Sequence, residues 1–222
     1  MRVDNTTVQP QTQSKSEGIP DVHNVNILDG SGSMAGSKYD NACAGIRLDF
    51  ETCKNEGFKS FTFVEFNNGG DITTHHFMSD FNVALKFNGT KGGTPLYQTI
   101  GETLERLLNE VPKEDKVLVK IFTDGEENES RGKYANPSAL KALIATCEAR
   151  GFTITFIGTK DDTAYIVRHL NIDVSNTLVH DNTGEGVKMS FQTQAFATTQ
   201  YRKSLEEGED VSRGFYSKVL ND

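Results

Sequence analysis

Two apolar runs in this chain stop in the same way. Residues 25–29, VNILD, end on Asp29-Gly30, and residues 116–122, KVLVKIF, run into Thr123-Asp124-Gly125. Each of these short apolar runs reads as a buried strand. After each, a turn leads to a segment whose apolar residues recur at helical spacing. Strands that alternate with helices bury a common core as α/β layers, with the sheet mainly parallel. The same geometry places the ends of such strands, and the acids on them, along one rim of the sheet.

The rest of the chain fits that alternation. Residues 23–28 form the first expected strand. Tyr39, Ala42, Cys43, Ile46, Phe50 and Cys53 then mark a helix that Gly57 stops. Residues 61–66 and 72–77 flank the turn Asn67-Asn68-Gly69-Gly70 and read as an antiparallel hairpin, which supplies one antiparallel edge strand. The loop NGTKGG, 88–93, leads through Thr94-Pro95 into a second helix carrying Leu96, Ile100, Leu104, Leu107 and Leu108. A strongly apolar strand follows at 116–122. Asn136-Pro137 opens another helix that Gly151 ends, and 152–157 is the next strand. A helix at 161–170, a short strand at 177–179 and a closing helix at 184–207 complete the pattern. Residues 1–20 are polar and expected as a flexible arm, 21–208 as the domain, and 209–222 as a mobile C-terminal tail.

Charge narrows the partners. The chain has 222 residues and a formal charge of −8, so no basic excess exists to release counterions from a nucleic-acid backbone. No run of about 18 apolar residues is present for a membrane span, and the N-terminus lacks the apolar core of a signal peptide. Cys43, Cys53 and Cys147 lack metal-type spacing and read as reduced thiols packed as small apolar groups. These features make a cytoplasmic protein the expectation, with no nucleic-acid or membrane partner.

The chemistry concentrates in three loops. In GSGSM, 30–34, Ser31 and Ser33 stand at every second residue beyond Asp29; Thr94 follows Gly92-Gly93; Asp124 follows Thr123. One set of hydroxyls and carboxylates at one rim suits a hard divalent cation. Taken alone, Asp29, Ser31 and Ser33 are equally good helix N-caps. The glycines at 30, 32 and 36 also come near a dinucleotide fingerprint, one residue longer before the last glycine. A dinucleotide loop, however, gains nothing from Asp29 beside a pyrophosphate and has no use for Thr94 and Asp124.

These motifs, in this order, resemble the von Willebrand factor A domain with its metal-ion-dependent adhesion site. The family's DxSxS is Asp29-Gly30-Ser31-Gly32-Ser33, its threonine loop is Gly92-Gly93-Thr94-Pro95-Leu96, and its TDG element is Thr123-Asp124-Gly125; the likeness runs over about 22–207. It implies a doubly wound, mainly parallel six-stranded sheet in the order 3-2-1-4-5-6, flanked by helices. It implies that Ser31, Ser33 and Thr94 bind Mg²⁺ (or Mn²⁺ or Ca²⁺) directly, while Asp29 and Asp124 act largely through water. One coordination position is then left for an Asp or Glu of a protein partner. The GGTPL loop and the compact form are similar to stand-alone bacterial or phage domains that serve as adaptors. The function implied is a non-enzymatic, metal-dependent protein-binding module. The other classes are a Mg²⁺-dependent enzyme on a nucleotide or phosphorylated substrate, and a structural part of a viral or multiprotein assembly.

Three further features have plain readings. Glu126, Glu127 and Glu129 follow Asp124 and read as a solvated loop, or else as carboxylates that hold the cation and repel an acidic ligand; a partner with one acid among basic residues would meet both demands. His75 and His76 are adjacent in a strand, so they face opposite ways and do not chelate one ion. Arg202, Lys203, Glu206 and Glu207 read as a solvated helix end. Nothing in the sequence sets the oligomeric state.

Overall fold

The computed structural model describes residues 18–67, 71–78, 80–125 and 127–220, with 71–78 described through its backbone pairing. Most of the expected arm, the turn at 68–70, the His75 and His76 side chains and Glu126 lie outside the described residues. Six strands form one sheet: β1 (Val22–Asp29), β2 (Ser60–Asn67), β3 (Asp71–Met78), β4 (Lys116–Phe122), β5 (Phe152–Gly158) and β6 (Thr177–Val179). Their order is β3-β2-β1-β4-β5-β6, antiparallel between β2 and β3 and parallel elsewhere. The expected fold class and order are what the structure shows.

The helices are α1 (Ser37–Asn55), α2 (Leu96–Glu110), α3 (Pro137–Ala149), α4 (Lys160–Leu170), α5 (Gly184–Glu206) and the short α6 (Ser217–Leu220). Their ends follow local chemistry. Asn136 accepts a bond from the Ser138 amide and Pro137 takes the first helical position of α3, where a missing N–H costs nothing. Thr159 and Asp162 form a reciprocal capping box at the start of α4. None of the helices among the described residues is long and apolar enough to cross a membrane.

Strand alternation sorts the core into two layers. Val25 and Ile27 of β1 join Val117, Val119 and Ile121 of β4 against α2, α3 and α4. Leu28, Phe61, Phe63, Leu118 and Phe122 point the other way, against α1 and α5. Gly45 lets those two helices close on each other, because a Cβ there would lie 2.1 Å from the Phe191 ring. The three cysteines are buried and unbridged in these layers; burial pushes the Cys43 thiol up to about 11 and that of Cys147 to about 12.

Burial departs from the plain sequence reading at two places. Within the strongly apolar strand at 116–122, Lys120 is 1% exposed and its ammonium bonds to Asp49 Oδ1 of α1 at 2.7 Å and to Thr198 Oγ1 of α5 at 2.6 Å. Asn24 and Asn26 of β1 donate to Asp49 Oδ2 at 3.2 and 2.7 Å. A buried charge survives only when paired and hydrogen-bonded, and this network meets that condition. The described part of the expected tail packs onto the domain. Val211, Phe215 and Tyr216 are buried in the α1–α5 layer, and the Phe215 amide donates to Asn176 Oδ1 at 3.0 Å. Three apolar side chains within six residues provide the burial that a free tail lacks.

Candidate metal centre

The strand order puts β1 and β4 side by side with Leu28 opposite Phe122, so Asp29 and Asp124 emerge together at the carboxyl rim. The first loop is tied to the second by main-chain bonds. Gly32 N donates to Gly92 O at 3.0 Å, and Lys91 N to Gly30 O at 2.9 Å. The third loop clasps the second, since Thr94 N donates to Asn128 Oδ1 at 2.9 Å and Asn128 N donates back to Thr94 O at 3.2 Å. Gly93 makes this approach feasible: a Cβ there would come within 2.3 Å of Glu129 Cγ.

These ties bring the oxygens together. A methyl group placed on Gly125 would sit 3.2 Å from Ser33 Oγ, 3.6 Å from Thr94 Oγ1 and 3.9 Å from Asp29 Oδ2. Ser33 Oγ donates to Asp124 Oδ1 at 2.7 Å, which makes Ser31 the donor in the 2.9 Å bond between the two serine hydroxyls. All five residues singled out in the sequence, Asp29, Ser31, Ser33, Thr94 and Asp124, therefore surround one small space fed by three loops. Asp29, Ser31, Thr94 and Asp124 are buried, and Ser33 is exposed.

The carboxylates sit where water is scarce. Asp29 accepts from the Ser31 amide at 2.7 Å and from Thr123 Oγ1 at 2.5 Å, yet burial outweighs these bonds and pushes its carboxyl up to about 6. The second carboxylate has a cation beside it: the ammonium of Lys38 in α1 bonds to Asp124 Oδ2 and, at 2.9 Å, to Asn182 Oδ1. The donors are three hydroxyls and two carboxylates, all hard oxygens, which is the chemistry that suits Mg²⁺ and ions like it. Among the described residues no three His, Cys, Asp or Glu side chains cluster as a separate metal site.

Sequence reading missed the supporting residues. Glu65, wholly buried at the end of β2, accepts from the Tyr39 hydroxyl and from Asn88 N at 2.8 Å, and Tyr39 Oη accepts from Gly89 N at 2.9 Å. This pair anchors the start of the threonine loop, and a lone Glu in a strand carries no local sign of that task. The acidic loop after Asp124 also differs from the solvated reading. Glu127 Oε2 accepts from Tyr97 N at 2.7 Å and from Ser130 Oγ at 2.5 Å, while Oε1 accepts from the Glu129 and Ser130 amides. Its charge faces the first turn of α2, where orphan amides and the helix dipole favour an anion.

No protein-family model matches the chain, and no curated protein matches it in sequence. Solved structures do share its architecture. The pilus adhesin SpaC of Lactobacillus rhamnosus GG superposes with a TM-score of 0.63 at 13% identity, over 84% of this chain and 31% of SpaC. The ArnB paralog VWA2 of Sulfolobus acidocaldarius superposes at 0.52 and 18% identity, over 79% of this chain and 45% of VWA2. Proximal thread matrix protein 1 of the mussel byssus, with its adhesion-site motif occupied by zinc, gives 0.53 at 14% identity over 83% of this chain and 46% of that protein. The chain thus spans less than half the length of each. At such identities the likeness speaks to the fold alone: the chain has the von Willebrand factor A fold.

Proposed function

We propose that this chain is a divalent-metal-dependent protein-binding module of the adaptor kind. The observation that carries the reading is the convergence of Ser33, Thr94 and Asp29 oxygens within 4 Å of one point beside Gly125, with Ser31 and Asp124 bonded into the same cluster. In this reading Ser31, Ser33 and Thr94 hold Mg²⁺ through their hydroxyls, and Asp29 and Asp124 supply the balancing charge through water and through the bonds that orient the serines. The bound ion supplies a vacant position for an Asp or Glu of the partner. Thr123 fixes the Asp29 carboxylate, Asn128 fixes the Thr94 backbone, and Lys38 holds Asp124.

Capture rather than turnover fits the hydroxyls. Ser31 and Ser33 are bonded to each other and to Asp124, and among the described residues no histidine bonds to either. The three buried thiols agree with a reducing, cytoplasmic setting. Titration calorimetry with MgCl₂ and MnCl₂ tests the site. The wild-type chain is expected to bind one ion, and Thr94→Ala to bind it at least about tenfold more weakly. Pull-downs from native lysate with and without EDTA then test capture. Absence of ion binding by the folded wild-type chain refutes the reading, and metal-dependent hydrolysis of a nucleotide or phosphoester, lost in Asp29→Ala, replaces it with an enzyme.

A further inference from the structure

A second concavity opens between the start of α2 and the start of α4, with Gly125 bordering both it and the metal cluster. Its volume is about 160 Å³. That is room for the end of one long side chain and is below the size of sites that enclose a nucleotide or a drug-sized ligand. Leu96, Phe156 and Ile166 line its apolar part. Its polar lining is acidic and phenolic: Glu127, Asp161, Asp162, Tyr97 and Tyr165, with no basic side chain among the described lining residues.

Two of the three carboxylates are already committed. Glu127 accepts from the Tyr97 amide of α2 through Oε2 and from the Glu129 and Ser130 amides of its own loop through Oε1, and Asp162 closes the capping box with Thr159. Asp161 is exposed and makes no hydrogen bond or ion pair among the described residues, so its charge is available. An independent observation points to a ligand. Tyr97 is 3% exposed and lines the pocket, and its buried hydroxyl has only the half-exposed phenol of Tyr165 near it, with no well-formed hydrogen bond. A buried hydroxyl without a well-formed bond costs about 1–3 kcal/mol, so native structures rarely leave one unanswered. Tyr165 beside it is 47% exposed, with its ring stacked on His169 at 3.9 Å between centroids. Carboxylate charge, a phenol oxygen without a well-formed bond and aromatic surface together select a cation with an apolar stem, and the acids at the start of α4 disfavour phosphate there.

We propose that this pocket receives the cationic end of an arginine or lysine of the partner, close to the acidic residue that docks at the metal; the word "partner" rests on the function proposed above, the pocket's cation preference does not. Specificity then comes from a pair of charges of opposite sign, read at two neighbouring sites that share Gly125. The pairing also answers how an acidic ligand reaches an acidic rim: the accompanying cation meets Asp161 first.

The test is a titration of the ¹⁵N-labelled full chain with Nα-acetyl-arginine methylamide in EDTA, followed by amide chemical shifts. Nα-acetyl-glutamine methylamide is the neutral control. The arginine probe is expected to shift Tyr97, Asp161 and Tyr165 with a constant on the order of millimolar, and the glutamine probe to leave them in place. Asp161→Asn is expected to weaken the arginine constant about two- to fivefold, and Tyr97→Phe, which keeps the ring and the fold, about threefold. Equal shifts with both probes, or none up to about 50 mM, overturn the assignment. A separate MgCl₂ titration reads Ser31, Ser33 and Thr94. Magnesium shifts without arginine shifts leave the metal reading standing and refute the pocket. Arginine shifts without magnesium shifts uphold the pocket and refute the metal reading.

Discussion

Removing Lys120 is the sharpest probe of what holds the two layers in register. Its ammonium and the Asp49 carboxylate, 1% and 0% exposed, are 2.7 Å apart between β4 and α1. At an effective dielectric of about 20, such a separation corresponds to about 6 kcal/mol of attraction, most of it repaying the removal of both charges from water. Lys120→Met keeps the stem's volume and leaves Asp49 buried without a counter-charge. Breaking one side of a buried pair costs about 3–5 kcal/mol. The lower end applies here, because Asp49 keeps the Asn24 and Asn26 amides and the Thr198 hydroxyl at 3.1 Å. A loss of about 3 kcal/mol is a large share of the 5–15 kcal/mol typical of a folded domain. Urea denaturation followed by far-UV circular dichroism reads it as a lower midpoint at unchanged slope. The double variant Asp49→Asn, Lys120→Met removes both charges and keeps an amide for Asn26 to bond, so it is expected to regain at least about 1.5 kcal/mol over Lys120→Met alone. A Lys120→Met cost below about 1 kcal/mol, or a double variant no more stable than the single, refutes the argument.

Four further outcomes follow from the structure. Glu127→Ala strips four hydrogen bonds from the loop that caps α2 and is expected to cost about 1–2 kcal/mol by the same denaturation, with weaker Mg²⁺ binding because the loop also carries Asn128. Lys38→Met removes a positive charge from Asp124 and is expected to tighten Mg²⁺ roughly tenfold in calorimetry; unchanged affinity counts against Lys38 as a resident cation. Truncation after Gly208 deletes Val211, Phe215 and Tyr216 from the core and is expected to cost roughly 5 kcal/mol, read as a fall in melting temperature; a free tail predicts no change. Burial is the main cause that raises the Glu148 carboxyl above its ordinary value, with Arg213 opposing it and Asp173 adding to it. Such a group stabilises the fold at acid pH and loses that contribution as pH rises through its raised folded value. Glu148→Gln is therefore expected to raise the melting temperature slightly at pH 7, with the gain vanishing as pH falls to 4; a gain that persists at pH 4 contradicts the burial account.

What the sequence determined by itself was local and repetitive. Apolar runs at strand length, helical spacing with Asn136-Pro137 and Gly151 as start and stop, and the order of DGSGS, GGT and TDG are written in consecutive residues. They sufficed for the fold class, for the strand order through resemblance, and for the five oxygen-bearing residues that the structure gathers. Tertiary structure alone decided the rest. Lys120 looks like an interruption of a strand until Asp49, 71 residues earlier, is set beside it. Glu65 is unremarkable until Tyr39 and Asn88 meet it, and Glu127 belongs to a solvated acidic run until the Tyr97 amide of α2 meets it. Residues 209–220 look like a tail until α5 and β6 offer them apolar surface. The physical reason is common to all four. A buried polar or apolar group is stabilised by partners that arrive from distant parts of the chain, so its role is a property of the pairing and is absent from the run of residues in which it stands.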